Sequence, residues 1–250
     1  MLNSEYYNNL NENQKEAVSH LNGPLLIVAG AGSGKTRVLT SRIAHIIKKN
    51  KAFPNQILAV TFTNKASKEM QIRVSKLLKK EATGLPWLGT FHSISAKLLR
   101  KHAAAVGLKS NFSIMDQEDQ IKLIKNICKA ENVDIKKISP KYILAIIDKW
   151  KNKGFYPNDV TLKRKDPLEK NFLNIYKIYQ QKLIDLNAAD FGDLILHTVK
   201  IFEKYKDISE MYSKKFKYIL VDEYQDTNFI QSEWLKHLAK YNQNICCVGD

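Results

Sequence analysis

Cysteine is scarce. Among 250 residues there are three, Cys128 and the adjacent pair Cys246 and Cys247. Three cysteines at that spacing make neither a disulfide framework nor a zinc pattern. The adjacent pair lies in an apolar run and reads as core, and a reducing compartment, the cytoplasm, is the expected setting. Long hydrophobic runs are missing too. None approaches the roughly 20 residues that span a bilayer, and the start, MLNSEYYNNL, lacks a signal peptide's charged head and apolar middle. No membrane role is expected. Acidic residues are few: 25 Asp and Glu stand against 40 Lys and Arg, for a net charge of +15. Such an excess points to a polyanionic partner, nucleic acid first. Arginine is rare as well, at positions 37, 42, 73, 100 and 164. A chain this rich in Lys and Asn also arises by compositional drift, so charge alone speaks to association and not to fold. There is no internal repeat and no low-complexity stretch. Hydrophobic residues at 44% and charged residues at 26% fit a globular chain.

Four short runs rich in β-branched residues read as strands: Leu25–Ala29, Ile57–Phe62, Tyr218–Asp222 and Ile245–Gly249. Being apolar on both faces, they suit a buried parallel sheet. WLGTF, 87–91, is a weaker fifth. Helical patterns alternate with them at 35–49, 66–79, 93–106 and 229–241. Strands alternating with helices predict an α/β fold of the doubly wound kind. From about residue 106 to 188 the pattern turns mostly helical, at 117–129, 140–151 and 167–186, and only FSIM, 112–115, has strand character. This middle reads as a helical subdomain inserted into the α/β domain, which would comprise residues 1–105 and 189–250.

Between the first strand and the first long helix lies AGAGSGKT, Ala29 to Thr36. Strand, glycine-rich loop and helix are the context of a phosphate-binding loop. Gly30, Gly32 and Gly34 let backbone N–H groups turn inward around phosphates, and the helix N-terminus adds positive potential. Lys35 would bridge the β- and γ-phosphates of ATP, and the Thr36 hydroxyl would ligate Mg²⁺. The usual first glycine is Ala29 here, and Ala31 and Ser33 fill the remaining places. A small alanine closes the strand if its φ stays negative.

The stretch VDEYQDTN, 221–228, supplies acids at the end of another strand. Ligands gather at the carboxyl ends of strands in open α/β sheets. Asp222 would hold Mg²⁺ through its water shell, and Glu223 would orient or deprotonate the attacking water. An acid pair there suits hydrolysis better than the transfer carried out by a P-loop kinase.

Together AGAGSGKT and VDEYQDTN resemble the UvrD, Rep and PcrA group of superfamily-one DNA helicases. Further segments agree in order over nearly the whole chain. LNENQKEAV, 10–18, resembles the family's adenine-reading glutamine motif. TFTNKASKEM, 61–70, and GTFHSISAKLL, 89–99, resemble the two motifs that line its single-strand DNA track. ADFGDLI, 189–195, resembles another family segment, in which an acid usually stands at the place of Gly192. CCVGD, 246–250, resembles the opening of the motif coupling the ATP site to DNA.

The resemblance implies a RecA-like P-loop domain with a helical insertion. It implies that Gln14 reads adenine, that Arg37 lies beside the nucleotide, and that Gln225 sits near the γ-phosphate with Lys35 and Glu223. Phe62, Thr63, Asn64, Thr90, Phe91, His92 and Ser93 would contact single-stranded DNA. Aromatic faces stack on bases without asking which base, and hydroxyl, amide and imidazole groups position the backbone. The lysines at 149, 151, 153, 163 and 165 either meet duplex DNA ahead of the motor or form a solvated face. The implied activity is ATP-dependent unwinding, 3′ to 5′, at duplex junctions in DNA repair or replication. The family's second motor domain, with arginines for the transition state, is expected beyond Asp250. The 250 residues alone would therefore bind nucleotide weakly and hydrolyse it poorly. A helicase–nuclease subunit of the RecB or AddA type shares these motifs. A non-catalytic DNA-binding module is the reading from another class.

Overall fold

A computed structural model describes residues 5–30, 32–78, 84–162 and 167–250. The chain divides into two compact units. One comprises Met1–Ile94, Tyr205–Thr227 and Leu235–Asp250, and the other Ser95–Lys204 and Asn228–Trp234.

The first unit is built on five parallel strands: β1 (Leu25–Val28), β2 (Ile57–Thr61), β3 (Leu88–Thr90), β6 (Tyr218–Val221) and β7 (Ile245–Gly249). The second holds the short parallel pair β4 (Ser113–Ile114) and β5 (Ala188–Ala189). The main sheet runs in the order β1-β7-β6-β2-β3. Register pairs Leu25 with Cys246, Ile219 with Ile245, Ile57 with Tyr218 and Ala59 with Leu88. Alternate residues of the inner strands fill one core. Ile57 and Ala59, Tyr218 and Leu220, Cys246 and Val248 pack with Leu39, Ile43 and Ile46 of helix Lys35–Lys48 and with Met70 and Val74 of helix Asn64–Leu78. Both helices present an apolar face at helical spacing, and each fully buried aliphatic side chain contributes roughly 1.5–3 kcal/mol.

The expectation that every strand is apolar on both faces because both are buried holds for β2 and β6, where every residue is buried. It fails for β1, where burial alternates and Leu26 and Val28 are 62% and 68% exposed. The reason is position: β1 is the outermost strand, bonded to β7 alone among the described residues. WLGTF yields β3, and Phe91 already opens helix Phe91–His102. FSIM shrinks to the two residues of β4.

The second unit is mostly helical. Helices Gln117–Ala130, Pro140–Asn152 and Pro167–Asp185 enclose Ile124, Ile143, Ile147, Tyr176, Tyr179 and Leu183. Asp116 and Ser139 cap the first two by accepting from the backbone N–H groups of Asp119 and Tyr142.

Candidate nucleotide and DNA site

All five strands of the main sheet are parallel, so their carboxyl ends share one edge. The glycine-rich loop follows β1, Asp250 follows β7, Asp222 and Glu223 follow β6, Phe62 follows β2, and Phe91 follows β3. The order places the nucleotide candidates at β1, β7 and β6 and the DNA candidates at the neighbouring β2 and β3.

Ala29 has no positive φ and donates its N–H to the Gly249 carbonyl at 3.0 Å, so alanine closes the strand without strain. Ser33 N–H returns to the Gly30 carbonyl at 3.2 Å. Gly34 caps helix Lys35–Lys48 at φ 90°. A side chain there would be strained, and its Cβ would stand 3.1 Å from Gln14 Nε2. Ala31 lies outside the described residues.

Gln14 sits against this loop. Its Nε2 donates to the Ser33 carbonyl at 3.0 Å, and its Oε1 accepts from the Asn11 N–H at 3.1 Å. Asn11 Oδ1 accepts from Gln14 N–H at 2.9 Å, completing a reciprocal cap of helix Glu12–Ser19. The Asn-x-x-Gln spacing of LNENQ carried that cap in plain sight. Arg37 is exposed and donates to the Asn9 carbonyl at 2.7 Å.

Lys35 is the centre. It is 9% exposed, and its ammonium bonds to the Asp250 carboxylate and lies 3.6 Å from Glu223 Oε2. The hydrogen bond to Asp250 raises its pKa, against a smaller opposing pull from burial, so it is a cation throughout the neutral range. Gln225 closes the circuit. Its Nε2 donates to Glu223 Oε2 at 2.7 Å, and its Oε1 accepts from Asp250 N–H at 3.3 Å. Asp250 was not foreseen as a partner of Lys35. The VGD segment was the only signal, and spacing along the chain could not reveal a contact across 215 residues.

Glu223 takes the left-handed conformation, φ 50° and ψ 49°. For a residue with a Cβ that costs roughly 1–2 kcal/mol. Asp222 is buried, and burial raises its pKa, with the Glu223 charge adding to the effect. Thr36 donates a hydrogen bond to it, while its Oδ1 has no hydrogen-bond partner among the described residues. An orphaned carboxylate oxygen beside a hydroxyl is a donor set that fits a hard divalent cation. Among the described residues no group of three or more His, Cys, Asp or Glu could hold a metal.

The DNA candidates cluster as well. The Phe62 and Phe91 rings lie 5.4 Å apart, tilted by 57°. Phe91 is buried, and Phe62 is half-buried. Thr63 Oγ1 accepts from Ala66 N–H at 3.1 Å at the start of helix Asn64–Leu78. Thr90 and Ser93 exchange bonds: Thr90 N–H donates to Ser93 Oγ at 2.9 Å, and Ser93 N–H to Thr90 Oγ1 at 3.1 Å. Thr90 is buried, whereas Thr63, Asn64 and Ser93 are exposed. Burial lowers the His92 pKa, so the ring is neutral at pH 7.

The second unit departs from expectation. Lys151 is buried, with Nζ 2.6 Å from Asp190 Oδ2 and 2.7 Å from Asp193 Oδ1. It is neither a duplex contact nor part of a solvated face. Its partners are the two acids of ADFGDLI. Lys149 and Lys153 are exposed, and Lys163 and Lys165 lie outside the described residues.

Residues 10–250 match the UvrD/REP helicase N-terminal domain, and the chain belongs to that family. It is 47% identical over 253 residues to a "Probable DNA helicase II homolog" of Rickettsia conorii, covering all of this chain and 38% of the relative. It is 46% identical over 242 residues to the "ATP-dependent DNA helicase PcrA" of Staphylococcus epidermidis, covering 97% of this chain and 33% of the relative. The chain thus spans 33% to 38% of the length of these curated relatives.

Proposed function

We propose that this chain binds ATP with Mg²⁺ and single-stranded DNA, as the N-terminal motor half of a 3′ to 5′ helicase acting at duplex junctions in repair or replication. The observation that carries the reading is the Lys35, Glu223, Gln225 and Asp250 circuit beside a glycine-rich helix start. That edge has one buried cation and the backbone donors an anion requires. Residues 1–105 and 189–250 form the motor domain in this reading, and 106–188 its insertion.

The arrangement supports the following roles. The loop from Ala29 to Gly34 wraps the phosphates. Lys35 exchanges Asp250 for phosphate oxygens, so nucleotide entry breaks the circuit. Thr36 and the free oxygen of Asp222 would hold the metal, which would supply charge neutralisation for the phosphates. Glu223, freed from Lys35, accepts a proton from the attacking water, while Gln225 orients the group beside it. Gln14 reads the base only by exchanging its present bonds to Ser33 and Asn11, and Arg37 lies alongside. Phe62, Thr63, Asn64, His92 and Ser93 meet the DNA strand. Buried Phe91 and Thr90 hold them, through the ring pair and the helix cap.

An arginine acting in the transition state is worth about 10³–10⁵ in rate in related systems. A second motor domain, supplied by the remaining length of a longer protein, would provide it. The test measures ATP hydrolysis and binding of fluorescent (dT)16 for the 250-residue chain and for Glu223→Gln. Both proteins should bind the oligonucleotide; the unaltered chain should hydrolyse ATP slowly and Glu223→Gln more slowly still. Failure to bind any single strand would overturn the DNA assignment. Brisk DNA-stimulated hydrolysis, lost in Glu223→Gln, would overturn the need for the second domain.

A further inference from the structure

We propose that the outer face of helix Asn64–Leu78 is a second track for a nucleic-acid phosphate backbone, continuing from Asn64 toward Arg37. It extends the reading of the chain as a DNA-binding motor half and rests on it. The helix buries Met70, Val74 and Leu78 and turns Lys65, Lys68, Ile72, Arg73 and Lys76 to solvent. From Lys65 to Lys76 the stripe is about 16 Å long at 1.5 Å per residue. It lines a shallow groove of about 680 Å³ that begins at Asn64. A second hollow of about 470 Å³ shares Arg73 and Lys76 and adds Arg37, with the hydroxyl-bearing Thr40, Ser41 and Tyr6.

Charge selects the occupant. The two hollows hold five cations and one acid, Glu69, which pairs with Arg73. Helix faces that are merely solvated usually intersperse both signs. Here the excess extends over two concavities that share Arg73 and Lys76. Ile72, 56% exposed in mid-stripe, offers an apolar contact of the kind a sugar or base face can cover. A strand held at Thr63 and Asn64 would reach Lys65 and Lys68 next. The rest of the stripe would follow, each cation releasing counterions from one phosphate.

The test is fluorescence anisotropy between 0.05 and 1 M salt (about the range over which counterion release is resolved), with (dT)20 and a 20-base-pair duplex as probes. The chain is compared with K68Q/K76Q and with K217Q/K240Q, which removes the same charge at exposed positions elsewhere. Loss of two phosphate contacts lowers the salt slope by about 1.4 on a single strand and 1.8 on a duplex. Near 0.1 M salt that is a loss of affinity of about 25-fold or 60-fold, closing toward 1 M. A loss on (dT)20 alone assigns the groove to the single strand, and a loss on the duplex alone assigns it to duplex DNA. Either result supports the track if K217Q/K240Q loses much less. Equal affinities and slopes for the chain and K68Q/K76Q, or equal losses in both double variants, overturn it. If the unaltered chain binds neither probe, the DNA reading falls and the groove with it.

Discussion

Replacing Lys151 with methionine should destabilise the second unit severely, and in a pH-dependent way. Lys151, Asp190 and Asp193 have side chains that are at most 1% exposed. Burial pulls the Lys151 pKa down, but the two carboxylates outweigh it and hold the pKa above its usual value. Tyr179 donates to Asp190 Oδ2 at 2.9 Å, and Gln180 Nε2 donates to Asp193 Oδ1 at 3.0 Å. The acids also cap helix Phe191–Lys204 reciprocally: Asp193 N–H donates to Asp190 Oδ1 at 2.8 Å, and Asp190 N–H to Asp193 Oδ2 at 3.2 Å. Methionine preserves the stem's volume but leaves two adjacent carboxylates buried without a cation. Removing one partner of a buried ion pair costs about 3–5 kcal/mol. In the variant both acids would have folded pKa values above the unfolded value. The deficit should therefore be largest at pH 7 and shrink as pH falls through those raised values and the acids are protonated. The assay is urea unfolding followed by tryptophan fluorescence, to which Trp150, stacked on Tyr176 at 5.8 Å, contributes along with Trp87 and Trp234. The triple change K151M/D190N/D193N should recover much of the loss, because neutral isosteres lift the desolvation cost. A loss under 1 kcal/mol that is the same at pH 5 and pH 7 would refute the reasoning.

Asp148 supplies a second pH test. Burial, with the Asp190 charge next, raises its pKa to about 6, so folding favours its protonated form. Stability tied to that proton is present below the unfolded value near 4 and is lost as pH rises through about 6. After discounting for partial exposure, Asp148→Asn should gain about 1–2 kcal/mol at pH 7–8 and nothing at pH 4, read by thermal melting. Gly249→Ala would put a Cβ 2.7 Å from Gln225 Oε1. The substitution displaces that exposed, flexible amide at little cost in stability. It should instead weaken nucleotide binding, measured by titration with a fluorescent ATP analogue. Asn11→Ala removes the cap of helix Glu12–Ser19. It should cost about 1 kcal/mol, and it should speed amide exchange at Gln14.

The parts of this protein legible in the sequence are those set by neighbours along the chain. The glycine-rich loop between strand and helix is readable because strand, glycines, Lys35 and helix are consecutive. The acid pair was readable because it ends an apolar run. Strand order was not, and so the exposure of Leu26 and Val28 was missed: an edge strand and an inner strand can have the same composition. The contact of Lys35 with Asp250 joins β1's loop to the end of β7 and exists only once those strands pair. Lys151 looked like its neighbours Lys149 and Lys153. Helical periodicity separates it from them only when the partner face, carrying Asp190 and Asp193, is known. The helices Glu5–Asn8 and Lys206–Lys215 are short, and the buried face of the second, Ser209, Tyr212 and Ser213, carries one large side chain.

The most direct test of the account is equilibrium binding of a fluorescent ATP analogue, with Mg²⁺, to the chain and to Lys35→Ala. The account predicts saturable binding, displaced by unlabelled ATP and weakened at least about tenfold in the variant, since a charge-assisted contact contributes roughly 1.5–3 kcal/mol. Equal affinity in the two proteins would contradict it and move the nucleotide away from this edge of the sheet.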